Sequence, residues 1–230
     1  MPASVTGPGH ISQGLPNQDS VITRAWKGQW MVAVCDGMGS RKHAQFGSRT
    51  AVLAALKAVK TLNFESDDRT IVTELYRFWL EGLSRSGVTP ADAVTTCVLI
   101  WGRSSGEFRY AHIGDGAIFS GVNVLSQDLN TGSFSNQTTG LGASKKLSDW
   151  RFGRNHMRWC GSALAVATDG VTEDLTAPDL FCDFISGKLK KMSVRQGRNW
   201  LGKQLENWPT PGHSDDKSIC FVLPDRESNL

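Results

Sequence analysis

Aspartates at the ends of apolar segments are the feature of this sequence that most restricts its fold. At four places an apolar run, or the turn beside one, leads to an aspartate next to a glycine or a second aspartate: Asp36-Gly37, Asp115-Gly116, Asp169-Gly170 and Asp215-Asp216. A single Asp-Gly pair is more often a turn than a ligand site. Four such pairs predict strands whose ends converge and bring the carboxylates to one place.

A cluster of this kind suits Mg²⁺ or Mn²⁺, because such ions prefer oxygen ligands and are held by a few carboxylates plus backbone carbonyls. Glycines in the segment Asp36-Gly37-Met38-Gly39-Ser40 let the backbone approach an ion, which makes the Gly37 carbonyl a candidate ligand. Two ions roughly 3.5 to 4 Å apart can activate a water for attack on phosphorus. The pattern indicates a two-metal site that hydrolyses phosphate esters, with Asp36, Asp169 and Asp215 as its main ligands.

The size of the chain is that of one catalytic unit. Its 230 residues, 40% of them hydrophobic, fit a single domain over residues 1–230, since single cores grow to about 250 residues before they split. The polar tail 224–230 is expected to be flexible. The five cysteines are an odd number, lack Cys-x-x-Cys spacing and lie mostly in apolar runs, so we expect reduced, buried thiols.

The charge and hydropathy of the chain restrict the classes of partner that it can bind. A net charge of +3 without a large Lys/Arg cluster argues against nucleic acid. The N-terminal segment lacks the basic and apolar regions of a secretory signal, and no apolar run approaches the roughly 18 residues that a membrane span needs. We therefore expect a cytoplasmic monomer that binds neither nucleic acid nor membrane.

The order of predicted elements favours an α+β fold. A hairpin over residues 20–26 and 29–35 is followed by helices 43–59 and 67–87 and by an antiparallel meander. The meander comprises 93–101, 107–113 and 117–122, and the later elements are a loop or flap 126–147, strand 163–168, helices 178–187 and 192–208, and strand 218–223. Because strict strand-helix alternation is absent, the sheets are predicted to be antiparallel.

Six short segments carry a resemblance to a known family. They are Pro16-Asn17-Gln18-Asp19-Ser20, Val32-Ala33-Val34-Cys35-Asp36-Gly37-Met38-Gly39, Thr95-Thr96-Cys97-Val98, Ala111-His112-Ile113-Gly114-Asp115, Thr168-Asp169-Gly170 and Asp215-Asp216-Lys217-Ser218. In this order they resemble the motifs of metal-dependent type 2C protein phosphatases, over nearly the whole chain. The resemblance implies an αββα sandwich of two antiparallel sheets covered by helices, with the metal site in a cleft at one end.

The resemblance also implies a role for each aspartate. Asp36 would bridge two metals, Gly37 would give its carbonyl to one of them, and Asp169 and Asp215 would complete the shell of the other. Asp19 would hold water of the metal shell, and Asp115 matches the aspartate that, with the one at Asp169, binds a third, weaker metal in bacterial members. The implied substrates are phosphoserine and phosphothreonine in other proteins, with a cognate serine/threonine kinase as a candidate partner.

The sequence departs from the family pattern around the metal site. Gln18 stands where many relatives have glutamate, and Gly14 stands where many have the arginine that binds the substrate phosphate. Animal members have a proton-donating histidine in place of Met38. His10 and Arg41, with Lys42 beside it, are the nearest candidates to contact the phosphate. For His10, phosphate contact or proton donation and a partly exposed side chain without such a role both stay open, and a solvated side chain is the simpler interpretation for Arg41 and Lys42.

Three functions remain open on the sequence. An active phosphoprotein phosphatase is favoured, because every aspartate of the main set stands in its motif. A pseudophosphatase that binds a phosphoprotein or a kinase without turnover is the alternative that Gln18 and Gly14 suggest. The metal chemistry also permits a phosphatase of small phosphate esters, although the chain has no Gly-rich nucleotide-binding loop.

Overall fold

Strands and helices alternate in blocks along the chain. The computed structural model describes residues 1–121, 123–127, 139–161, 163–211 and 213–224. The strands are β1 (Pro2–Val5), β2 (Asp19–Trp26), β3 (Gln29–Asp36), β4 (Cys97–Arg103), β5 (Glu107–Ile113), β6 (Ala117–Ser120), β7 (Val124–Gln127), β8 (Arg151–His156), β9 (Leu164–Ala167) and β10 (Lys217–Val222). The helices are α1 (Pro8–Gln13), α2 (Ala44–Thr61), α3 (Asp68–Arg85), α4 (Asp169–Thr172), α5 (Pro178–Leu189) and α6 (Val194–Glu206).

The strands form two five-stranded antiparallel sheets that pack against each other. The first has the order β2-β3-β4-β5-β8 and the second the order β1-β10-β9-β6-β7. Between them, Val34 and Val98 of the first sheet share a buried core with Ile118 and Val166 of the second. Helices α2 and α3 cover the outer face of the first sheet, and α5 and α6 that of the second. The predicted αββα sandwich is therefore confirmed.

The β2-β3 hairpin lies as predicted and sets the first pair of carboxylates. Its two-residue turn, Lys27-Gly28, has φ of 44° and 72°, as a type I′ turn requires. The register that follows from this turn places Asp19 directly opposite Asp36 at the open end of the hairpin. The turn at one end of the hairpin therefore fixes the register that places these two carboxylates opposite each other at the other end.

The predicted meander is wrong in its third strand. Strands β4 and β5 pair as expected, but β6 belongs to the second sheet, where it pairs with β7 and β9. Gly114 and Gly116 have φ of 92° and 88°, a conformation that suits glycine, and they turn the chain from one sheet to the other. The segment 114–116 is therefore a crossing between the sheets and not a hairpin turn.

Five elements were not predicted from the sequence: β1, α1, β7, β8 and α4. Three are edge strands, α1 has only six residues and α4 only four, so none carries a strong periodic pattern. Strand β8, for example, contains two arginines, an asparagine and a histidine. Within the proposed loop 126–147, residues 126 and 127 belong to β7, and the buried Leu141 forms a β-bridge with Thr95. Residues 128–138 and the tail from 225 lie outside the described residues.

Two other expectations can be compared with the structure. All five cysteines are free thiols and buried, as predicted. None of the helices within the described ranges is long and apolar enough to cross a membrane.

The helical cover of the first sheet should be sensitive to the loss of buried leucine. Leu75 of α3 is fully buried, so Leu75→Ala is expected to lower the free energy of unfolding by about 2–5 kcal/mol through lost burial and a residual cavity. Leu53→Ala, on the exposed face of α2 with 54% of its surface accessible, is the matched control and should change stability little. Urea denaturation measures both, and similar losses in the two variants would contradict the assigned packing.

Candidate metal centre

Carboxylates from both sheets meet at one end of the sandwich. Asp36 ends β3, Asp115 lies on the crossing between β5 and β6, Asp169 begins α4 directly after β9, and Asp215 precedes β10. These four side chains line one cavity of about 190 Å³. The other lining residues are Met38, Gly39, Val94, Thr95, Thr96, Thr139 and Gly140. The structure therefore brings together the four aspartates that the sequence pattern selected.

The donor set has the composition that a hard divalent cation prefers. Carboxylate oxygens of Asp36, Asp115 and Asp169 lie within 4.8 Å of one another. Gln18, which is 7% exposed, has a buried Oε1 with no hydrogen-bond partner among the described residues, so it can accept a hydrogen bond from water. This oxygen is 3.4 Å from the position of a Cβ built on Gly39, which lines the cavity. Oxygen-only donors of this kind fit Mg²⁺ or Mn²⁺ with part of its water shell.

The electrostatics of the cluster also call for a cation. Burial, followed by the charges of Asp19 and Asp169, raises the pKa of Asp36 well above its ordinary value. Burial, followed by the charges of Asp115 and Asp215, raises the pKa of Asp169 to about 8. Without a cation the ionised cluster is therefore unfavourable, and a bound divalent ion would offset both the burial and the repulsion.

Asp19 is a buried partner of Asp36. It is 7% exposed, its Oδ2 accepts a hydrogen bond from the Thr168 hydroxyl at 2.9 Å, and burial raises its pKa to about 7. Thr168 directly precedes Asp169, so this bond joins the β2-β3 hairpin of the first sheet to the α4 end of the second. This position is compatible with the supporting role that the family resemblance implies for Asp19.

Two threonines fix the backbone of Asp36. The Asp36 N–H donates to Thr96 Oγ1 at 2.9 Å, and the Asp36 carbonyl accepts from Thr95 Oγ1 at 2.7 Å and from the Thr96 N–H at 2.8 Å. Neither threonine was selected as a site residue from the sequence, although both stand in a quoted motif. The only sign of their role in the sequence is their position immediately before the apolar strand β4.

The Asp215 segment is anchored through its neighbour Asp216. Asp216 is 1% exposed and accepts hydrogen bonds from the N–H groups of Gly7 at 2.7 Å and Gln18 at 2.6 Å. Its Oδ2 also lies 2.8 Å from Nδ1 of His10. Asp216, for which the sequence pattern predicts no role of its own, thus holds together the N-terminal segment, the start of β2 and the segment that carries Asp215.

The two candidates for phosphate contact, His10 and Arg41, do not line the cavity. His10 lies against Asp216, and one of its ring nitrogens is within 4.8 Å of carboxylate oxygens of both Asp215 and Asp216. The Arg41 side chain is exposed, and the backbone N–H of Arg41 donates to the carbonyl of Met38, which does line the cavity. Arg41 therefore stands on the segment that borders the site.

Comparison with known proteins identifies the family. A family model described as Protein phosphatase 2C matches residues 6–206. The chain belongs to the protein phosphatase 2C family. At that level it is a metal-dependent serine/threonine protein phosphatase. No curated protein matches the sequence.

Solved structures share the fold of this protein phosphatase 2C chain at low identity. Stp1 from Staphylococcus aureus is 15% identical with a TM-score of 0.67, over 98% of this chain and 94% of that one. PppA of Pseudomonas aeruginosa is 19% identical with a TM-score of 0.67, over 98% and 96%. RsbX, solved in complex with magnesium, is 16% identical with a TM-score of 0.58, over 96% and 92%. At these identities the likeness establishes the fold alone.

The raised carboxyl pKa values predict how the metal-free protein responds to pH. Asp169 keeps its proton up to about pH 8 when folded but loses it near pH 3.8 when unfolded, so stability should fall as pH rises. Burial lowers the pKa of His112 to about 3, and the resulting opposite effect acts mainly below pH 6.5. In EDTA, the free energy of unfolding is therefore expected to fall between about pH 6.5 and 8, at most by about 1.4 kcal/mol per pH unit and proton.

Chemical denaturation at several pH values measures this slope. In Asp115→Asn the slope should be shallower, because the charge of Asp115 is the largest cause after burial of the raised pKa of Asp169. A stability that is constant or rises over this range in EDTA would contradict the assigned electrostatics.

Gly37 should tolerate no side chain. A Cβ there would collide with the carbonyl of Ala44, so Gly37→Ala must displace the segment after Asp36 and should weaken Mn²⁺ binding by about tenfold or more. Gly202→Ala on α6 is the control, since its Cβ would meet nothing within 4 Å. Calorimetric Mn²⁺ titration compares them, and equal affinities in the two variants would refute this account.

Proposed function

We propose that this chain hydrolyses phosphoserine and phosphothreonine in other proteins with Mg²⁺ or Mn²⁺ held by the acidic cluster. Asp36, the Gly37 carbonyl, Asp169 and Asp215 would hold two ions, and Asp115 with Asp169 a third. The convergence of Asp36, Asp115, Asp169 and Asp215 in one cavity is the observation that carries the proposal. Family membership supports the reaction class.

The ions, when bound, would neutralise the phosphoryl oxygens and activate water as the nucleophile. The chain's own residues orient this chemistry. Thr95 and Thr96 hold the Asp36 backbone in place, and Asp19 supports Asp36 from the opposite strand. The unpaired Gln18 Oε1 can accept a hydrogen bond from a water in the site. Preorganisation of this kind lowers the reorganisation needed during reaction.

Departure of the serine or threonine oxygen requires a proton. Met38 lines the cavity, but its thioether carries no proton to give. We infer that the leaving group takes its proton from water. The reaction should therefore depend on the basicity of the leaving group more strongly than it would with a positioned acid.

The substrate phosphate meets few cations from the chain itself. The residues that line the cavity are acidic or neutral, so the bound metals would carry most of the attraction for phosphate. Arg41, exposed on the segment that borders the cavity, is our candidate for a further contact with the phosphoprotein. The physiological partner would be a phosphorylated protein in the cytoplasm, together with the kinase that modifies it.

The reaction can be tested on a phosphothreonine peptide with Mn²⁺. Release of phosphate is expected from the wild type, and Asp169→Asn should lose roughly 10- to 100-fold or more through weaker metal binding. Asp179→Asn, an exposed position on α5, is the matched control and should keep full activity. Lack of Mn²⁺-dependent turnover by the wild type would refute the proposal, and full activity of Asp169→Asn would refute the ligand assignment.

The same assay separates the alternatives. Binding of a phosphopeptide without turnover would identify a phosphoprotein-binding module, which the complete carboxylate set does not favour. Hydrolysis of small phosphate esters but not of phosphopeptides would keep the metal chemistry and overturn the substrate class.

A further inference from the structure

The backbone on either side of Asp115 has little conformational preference of its own. The residue lies between Gly114 and Gly116, whose φ values of 92° and 88° fall in the left-handed region. Glycine has the widest range of backbone conformations, so two glycines leave the orientation of Asp115 poorly determined by local structure. Yet the Asp115 carboxylate lies within 4.8 Å of those of Asp36 and Asp169. Other parts of the molecule must therefore hold the crossing in place.

Arg151 holds the peptide on one side of Asp115. It is the first residue of β8 and lies opposite His112 in the register of β5 and β8. Its Nη2 donates a hydrogen bond to the Gly114 carbonyl and lies 3.1 Å from His112 Nε2. Hydrogen bonds from a guanidinium are among the stronger kinds, and its planar group fixes their direction.

His112 holds the peptide on the other side. Its side chain is fully buried, with Nε2 3.0 Å from the Asp115 carbonyl and Nδ1 2.9 Å from Ser126 Oγ. A neutral imidazole has one donor and one acceptor nitrogen. In one tautomer Nε2 donates to the Asp115 carbonyl. In the other it accepts from Arg151, which itself holds Gly114.

We propose that Arg151 and His112 are positioning residues that fix the Asp115 carboxylate in the acidic cluster and so set the affinity for a cation there. This inference rests on the proposed function. Arg151 lies outside all six quoted sequence motifs, and neither residue was selected as a site residue. The competing interpretation is that Arg151 only attaches the edge strand β8 to its sheet. That interpretation predicts lost stability without a specific change in metal binding.

A double-mutant cycle distinguishes the two interpretations. Free Mn²⁺ is measured by electron paramagnetic resonance during titration of the wild type, Arg151→Met, Asp115→Asn and the double variant. Arg151→Met is expected to weaken the lowest-affinity Mn²⁺ site by about tenfold, as loss of a group that orients a ligand usually does. In the Asp115→Asn background the same change should have no further effect, because the carboxylate that it positions is gone.

Matched variants control for folding and for charge. Arg154→Met, on the same strand with its guanidinium paired to Glu65, removes the same charge and should bind Mn²⁺ like the wild type. Arg151→Lys keeps one donor and should restore part of the affinity. His112→Gln, whose amide can donate or accept near the Nε2 position, should keep more affinity than His112→Leu. Thermal unfolding confirms that each variant is folded.

The outcomes separate this inference from the proposed function. If Arg151→Met and Arg154→Met bind Mn²⁺ equally, or if the Arg151 effect is unchanged in the Asp115→Asn background, the positioning role is wrong while the metal site stands. If the wild type binds no Mn²⁺ at all, the proposed function fails first and this inference fails with it. If Arg151→Met does not fold, Arg151→Lys and the His112 pair decide the question by the same titration.

Discussion

The candidate metal centre requires several carboxylates of like charge to lie close together. Asp36, Asp115 and Asp169 have oxygens within 4.8 Å of one another, and burial and repulsion raise the pKa values of Asp36 and Asp169. Such a cluster is unfavourable by itself and becomes favourable when a cation is bound. The surrounding structure must therefore be rigid enough to keep the carboxylates together in the absence of the ion. Hydrogen bonds to backbone groups on several segments supply that rigidity.

The sandwich divides these carboxylates between its two layers. Asp19 and Asp36 come from the first sheet, Asp169 and Asp215 from the second, and Asp115 from the crossing that joins them. The site therefore forms only when the two sheets pack against each other in the observed arrangement. The shared core around Val34, Val98 and Val166 sets that packing, so apolar burial between the sheets determines the distances between charges at their ends.

The centre and the rim of the site differ in character. Carboxylates, glycine backbone and threonine anchors make up the centre, and each has a definite set of hydrogen bonds or neighbours. The rim offers Met38 and the exposed Arg41, and the position of the usual arginine is taken by Gly14. In the proposed reaction the bound ions would act on the phosphoryl group, and exposed segments of the rim would contact the protein substrate.

Local patterns in the sequence were sufficient to predict the fold class, the β2-β3 hairpin, the two helices that follow and which aspartates lie close together. These features depend on local signals, which are a Lys-Gly turn, helical periodicity and aspartates after apolar runs. That these aspartates bind metal stays a prediction. Tertiary contacts place β6 in the second sheet and β1, β7 and β8 at the sheet edges. They also bring Thr95, Thr96, Asp216, His112 and Arg151 to the segments that carry the carboxylates. Strand pairing and hydrogen bonds between residues far apart in the chain create these features, and no local pattern records which distant segment will be the partner.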